Sequence, residues 1–354
     1  MAGLLNLLRE KRNYPKPVSE SFAGRTILVT GATSGIGLEA AKKLAVLHAD
    51  KVIITARNEA KAKAAKEEVV AFVRASTSIQ AVDLDAQIVT RVLDMGSFAN
   101  VKAFAQNLQA DFPRLDGVIL NAGALFTEYE QTEDGWERSV HVNALSTFLL
   151  GVLLLPLLIA QADTGKSAYK PHMTFVSSGL AWMVNRDREK AWIASDEALE
   201  FVSAQKNFPP GGVGGQIQYG RSKLVLEYAI RQLADSPAVK GADGHPKVII
   251  NSACPGATQS DLGRRFTSFI FRIGVWIFFT FFSRKTEHGA NSLVSALLQG
   301  DDLQGQMWKN DQKYQPKGLY VTPDGKKLGD KIWRDVRQVT LKADASTKAY
   351  LPAN

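Results

Sequence analysis

The chain alternates between short apolar runs and longer helical stretches. Thr26-Ile27-Leu28-Val29-Thr30 is β-branched and almost wholly apolar, and Val52-Ile53-Ile54-Thr55-Ala56 is a second run of the same kind. Runs this short, without strict polar alternation, predict strands buried on both faces, as in a parallel sheet. Leu38-Glu39-Ala40-Ala41-Lys42-Lys43-Leu44-Ala45 carries a helical pattern between them. Strand and helix signals in alternation predict an α/β architecture with helices on both faces of a parallel sheet. The 354 residues suit one large domain of this type, or one domain with extensions. Pro209 to Gly215, rich in glycine, reads as a flexible loop.

Three stretches are apolar enough to raise the question of a membrane. Met1 to Leu8 is too short for a signal peptide, and its charges follow the apolar run; a short amphipathic helix is the reading. Leu145 to Ala160 falls short of the roughly 20 residues of a bilayer span, so a core helix is expected. Residues 266 to 282 are dense in phenylalanine and contain Arg272, a costly residue at a bilayer centre. A substrate lid, a lid that also touches a membrane surface, and a spanning helix all remain open for this stretch. A lid so aromatic would suit a lipophilic substrate.

The junction after the first strand carries candidate chemistry. Thr30 runs into Gly31-Ala32-Thr33-Ser34-Gly35-Ile36-Gly37 and then into the first helix. Strand, glycine turn and helix together predict a nucleotide cradle. Gly31 permits the tight turn, Gly35 admits a diphosphate to the backbone, and Gly37 lets helix and sheet pack closely. Amides at the helix N-terminus face the phosphates. The second strand ends at Arg57, where an acid would suit the ribose hydroxyls of NAD. An arginine suits the 2′-phosphate of NADP instead. Further along, Tyr219 and Lys223 stand four residues apart, one helical turn on one face. An ammonium near a phenol favours the phenolate, so the pair predicts a tyrosine tuned for proton transfer.

With these residues in view, the chain resembles the short-chain dehydrogenase/reductases. Thr30 to Gly37 is similar to the family's TGxxxGxG turn. Asn121-Ala122-Gly123, after Gly117-Val118-Ile119-Leu120, is similar to its NAG motif. Asp94, after the run 89 to 93, falls at the adenine-contacting aspartate. Asn143 falls at the helix asparagine of the proton relay, and Val176-Ser177-Ser178 at the strand leading to the catalytic serine. Tyr219 and Lys223 match the YxxxK pair, and Pro255-Gly256 with Ser260 matches the segment beside the nicotinamide. The match runs in order over about residues 22 to 340. Ser21 to Thr26, Leu153 to Leu158 and Lys285 to Ala290 bring it nearest to the retinol-dehydrogenase-like branch and its fungal secondary-metabolism relatives.

The resemblance implies a single doubly wound parallel sheet of the Rossmann kind. An extension at 1–20, a domain at 21–340 with a substrate lid at about 260–285, and a tail at 341–354 follow from it. It implies catalytic Ser178, Tyr219, Lys223 and Asn143. Gly31, Ser34, Gly35, Ile36, Gly37, Arg57, Asp94, Asn121, Tyr219, Lys223 and Ser260 would bind NADP(H). It leaves room for a homodimer. The activity implied is hydride transfer between nicotinamide and the carbonyl or alcohol of a lipophilic small molecule, most simply in secondary-metabolite biosynthesis. A membrane-surface retinoid or steroid dehydrogenase and a non-catalytic nucleotide sensor are the alternatives; loss of Ser178, Tyr219 or Lys223 would have favoured the sensor. A cytoplasmic protein is expected, with membrane contact through 266–282 open.

Composition changes little in this picture. The net charge of +8 is scattered and mixed with acids, as in Lys61 to Glu68, so no nucleic-acid surface is expected. Cys254 is the single cysteine, which excludes an internal disulfide and reads as a buried thiol. The five histidines have no metal-ligand spacing, so no metal is expected.

Overall fold

The fold is given by a computed structural model describing residues 8–76, 83–165, 169–211, 213–259 and 282–352. The strands are β1 (Thr26–Val29), β2 (Lys51–Ala56), β3 (Ile88–Val92), β4 (Gly117–Leu120), β5 (His172–Val176), β6 (Ile249–Ala253), β7 (Met307–Lys309) and β8 (Gln312–Lys313). They form one sheet in the order β3-β2-β1-β4-β5-β6-β7-β8. All neighbours are parallel except β7 and β8, an antiparallel hairpin. Asn310 and Asp311 turn that hairpin with φ of 52° and 56°, as a two-residue turn of this hand requires. The runs foreseen at 26–30, 52–56 and 117–120 fall on strands; the edge hairpin had no counterpart in the sequence reading.

The longer helices are α1 (Gly35–Val46), α2 (Glu59–Ser76), α3 (Phe98–Asp111), α4 (Thr147–Ala162), α5 (Gly214–Ala234), α6 (Thr286–Ala296) and α7 (Pro323–Ala343). Successive strand residues serve opposite faces. Ile27 and Val29, with Val52 and Ile54, pack against Leu44 of α1, Val69 of α2 and Leu293 of α6. Leu28, Ile53, Val118 and Phe175 turn the other way, onto Phe104 of α3, Phe148 of α4, Leu224 of α5 and Ile332 of α7. This two-sided burial is why the strands read as unbroken apolar runs.

The apolar stretch at 145–160 lies in α4 and the turn before it. The helical run Arg138–Ala162 is apolar and long enough to cross a membrane, but it is almost wholly buried within the chain. It is therefore covered as a core helix is. The loop expected at 209–215 is shorter than anticipated: Gly214 and Gly215 already belong to α5 and are buried. A Cβ on Gly215 would stand 2.2 Å from the Phe126 carbonyl oxygen, so glycine here serves close packing rather than flexibility. The lid expected at 260–285 lies outside the described residues from 260 to 281.

Candidate active site

The strand order reverses direction between β1 and β4, and the crevice at their carboxyl ends is where such sheets bind ligands. Gly31 and Gly35 hold φ of +64° and +61°, a region that side chains avoid. A Cβ on Gly37 would stand 2.4 Å from the Asn121 side-chain nitrogen. That close approach lets Asn121 Nδ2 donate to the carbonyls of Thr30 (2.9 Å) and Gly31 (3.2 Å). Ala122 N donates to Thr30 Oγ1 at 2.9 Å, so the turns after β1 and β4 are knitted into one unit.

At Gly35 an added Cβ would meet nothing within 4 Å. The backbone there borders open space at the N-terminus of α1, where unpaired amides concentrate positive potential. Ser34 is the N-cap, and its side chain makes no capping hydrogen bond. Ile36 is buried and roots the first turn of α1 in the core. Arg57 is exposed one residue past β2, and Asp94 is exposed two residues past β3. Asp94 Oδ1 accepts from Gly96 N at 2.9 Å and so shapes the turn around itself. These features fit a dinucleotide. Ser260 lies outside the described residues.

Beside the cradle, β5 and α5 bring the polar residues together. Ser178 follows β5 directly after Ser177. Ser177 is buried and Ser178 is partly open. The Ser178 hydroxyl lies close enough to the Tyr219 phenol to favour its ionised form. Its Oγ also accepts from Leu180 N at 3.2 Å, capping the short turn Gly179–Met183. Tyr219 is 9% exposed and Lys223 3%. Lys223 Nζ donates to the Val176 carbonyl at 2.7 Å and stands 5.7 Å from the centre of the Tyr219 ring.

The electrostatics differ from the sequence expectation. Burial pushes the Tyr219 phenol well above its ordinary value; Cys254 adds to the rise and the nearby Ser178 hydroxyl opposes it. The lysine was expected to lower the phenol, but its nearest bond goes to Val176, and desolvation dominates. Burial also pulls Lys223 down to about 8, against the opposing effects of Glu227 and Cys254.

Asn143 lies in a π-helical turn, His141–Ser146, that leads into α4. Such turns are frequent at functional sites because they re-aim side chains within a helix. Asn143 Oδ1 accepts from Ala124 N (2.9 Å), and Nδ2 donates to Ala124 O (2.8 Å) and to Ser222 Oγ (3.2 Å). The amide therefore clamps the turn after β4. A Cβ placed on Gly123 would lie 3.0 Å from Asn143 Oδ1 and 3.8 Å from Lys223 Nζ, so the two side chains flank Gly123.

The excursion from Gly179 to Val213 is pinned from α5. Arg221 Nε and Nη2 donate to the two oxygens of Glu189 at 3.0 and 2.7 Å. Gln218 Nε2 donates to Glu137 Oε2 and to the Val202 carbonyl. Trp182 and Trp192, within this excursion, are both buried, and Trp192 Nε1 donates to Ala198 O.

Sequence reasoning missed several neighbours of this centre. Glu227 is buried one turn beyond Lys223 and is pushed up to about 7 by burial. Its four-residue spacing from Lys223 was visible in the sequence. Cys254 is buried as expected, but its Sγ accepts from Gly179 N at 3.3 Å, close to the serine turn. Lys309 pairs with Glu10 at 2.7 Å and stands over the Tyr314 ring, tying the N-terminal segment to this end of the sheet. No sequence signal linked residues so far apart.

The fold and these groups define a dinucleotide-binding domain with a serine, tyrosine and lysine gathered at the mouth of its sheet. A family profile described as short chain dehydrogenase matches residues 25–168. A short-chain dehydrogenase/reductase of Phaeosphaeria nodorum is 33% identical over 343 residues, covering 96% of this chain and 94% of its own. Another, of Aspergillus flavipes, is 33% identical over 345 residues, covering 96% and 93%. A solved short chain dehydrogenase of Shigella flexneri complexed with NADP superposes with a TM-score of 0.53 at 25% identity, covering 83% of this chain and 100% of that one. A 3-ketoacyl-(acyl-carrier-protein) reductase of Brucella melitensis complexed with NADH shares the fold, at a TM-score of 0.52 and 20% identity over 79% and 96%. The chain belongs to the short-chain dehydrogenase/reductase family, in its fungal secondary-metabolism type, and is an oxidoreductase.

Proposed function

We propose that this protein is an NADPH-dependent carbonyl reductase acting on a lipophilic small molecule in secondary-metabolite biosynthesis. The observation that carries the reading is the juxtaposition of Ser178 and the Tyr219 phenol, with Lys223 one turn away, beside the glycine cradle. NADPH, when bound, supplies the hydride. Gly31, Ser34, Gly35, Ile36 and Gly37 would hold its diphosphate, Asp94 and Asn121 its adenosine side and nearby turn, and Arg57 its 2′-phosphate. Ser260 would meet the nicotinamide end.

Tyr219 donates its proton to the substrate oxygen as charge develops there. A phenol whose pKa is raised by burial starts protonated, the form that reduction needs. Ser178 hydrogen-bonds the same oxygen and fixes its position relative to the phenol. Lys223 places a positive charge beneath the phenolate left behind and would hold the nicotinamide ribose. Asn143 keeps the turn at Gly123 in place, and a proton can return to Lys223 along water at that turn. Reduction is the favoured direction because cellular NADP is kept largely reduced.

The test is absorbance of NADPH with a panel of lipophilic ketones. Tyr219→Phe is expected to cut turnover by about a hundredfold to ten-thousandfold, with NADPH binding unchanged. Undiminished turnover in that variant would sink the assignment. We place the enzyme in the cytoplasm. Liposome flotation with and without residues 266–282 separates a soluble enzyme from one that also touches a membrane surface.

A further inference from the structure

α5 carries a third polar side chain on the line of the first two. Tyr219, Lys223 and Glu227 recur at intervals of four residues, so they stand one turn apart on one helical face. Lys223 is 3% exposed and Glu227 5%, so bulk water solvates neither charge. A lone ammonium in such a place sheds its proton, and a lone carboxylate takes one up. Each is the opposite charge acting on the other through space, without a direct ion pair between them.

The other groups facing the pair are few. Tyr219 and Cys254 face Lys223, and Tyr320, from the turn Gly318–Val321, faces Glu227. Ser177, at the end of β5, and Ser252, in β6, lie against the carboxyl and favour its ionised form. Glu227 Oε1 and both serine hydroxyls lack a hydrogen bond of regular geometry. The hydroxyls are thus free to rotate and donate when the carboxylate forms.

We propose that Glu227 is the internal counter-ion of Lys223, a positioning residue that keeps the ammonium charged in the core beneath Tyr219. The link to catalysis rests on the reading of Tyr219 as proton donor. Proton exchange between the two belongs to the pair rather than to either residue. Without the carboxylate, burial acts on Lys223 against Cys254 alone and the lysine becomes neutral at lower pH. The positive charge beneath the phenolate is then lost at a pH where the native enzyme retains it.

The test follows the Lys223 side-chain carbon by NMR in lysine-labelled protein, with the resonance assigned by its loss in Lys223→Met. In Glu227→Gln the Lys223 titration midpoint is expected to fall by about one pH unit or more. The alkaline limb of kcat/KM should fall with it, and Glu227→Asp should restore part of the shift. Superimposable titrations of the native and Glu227→Gln proteins overturn the proposal. Should Glu227→Gln not fold, the reciprocal measurement serves. The Glu227 carboxyl is followed in Lys223→Met, where its midpoint must rise; an unchanged midpoint overturns the pairing. The NMR midpoints need no turnover. A native protein inactive on every ketone would therefore refute the reductase reading while leaving the pairing measurable.

Discussion

Arg57 is one side chain just past the end of β2, yet the proposed preference for NADPH rests on it. Arg57→Asp replaces a partner for the 2′-phosphate with a repelling charge, and gives ribose hydroxyls an acceptor. The ratio of kcat/KM for NADPH to that for NADH is expected to fall by about a hundredfold, near 2.7 kcal/mol. Steady-state kinetics with both nucleotides checks it, and an unchanged ratio would place the phosphate elsewhere. Single residues of this kind were legible because their position relative to a strand end or a turn is fixed by local spacing. The same holds for Gly31, Gly35 and the Tyr219–Lys223 interval. The direction of the Tyr219 shift was not legible, since it depends on burial by segments remote in sequence.

Among the elements, α5 does two things at once. Its inward face holds Tyr219, Lys223 and Glu227, and Arg221 reaches the excursion through Glu189. Both members of that ion pair are buried. Glu189→Gln leaves a buried guanidinium without its counter-charge, at a cost of about 3–5 kcal/mol. Urea unfolding should register that loss; a variant as stable as the native protein would mean that the excursion is held by its apolar contacts alone. The strands could be read from the chain because two-sided burial leaves an apolar run. The π-turn at Asn143 could not, because the extra residue in that turn leaves no composition signal.

The whole molecule responds to acid through its buried imidazoles. His141 and His172 are each lowered to about 4 by burial, from an ordinary value of 6.5. Both are neutral in the folded chain, whereas the unfolded chain takes up their protons below about 6.5. Their contribution is present above pH 6.5 and is lost as the pH falls toward 4. Glu227, raised to about 7, acts in the opposite sense between about 4.5 and 7, as does Asp116, also raised by burial, but they stand against three lowered imidazoles once His288 is included. The urea midpoint should therefore drop between pH 6.5 and 4.5, and His172→Gln should flatten the drop. A midpoint that rises on acidification would show that carboxyls like Glu227 dominate.

The sequence by itself determined the period of the strands, the glycine turn, and the intervals between chemical groups along one helix. Each of these follows from covalent spacing and local backbone rules. Tertiary structure decided what the groups meet. Lys223 donates its hydrogen bond to a carbonyl 47 positions away, and Asn143 reaches a serine 79 positions away. Tyr219 owes its raised proton affinity to the core closed around it. Proton affinity is set by solvent exclusion and by neighbours in space, and neither is written into local spacing.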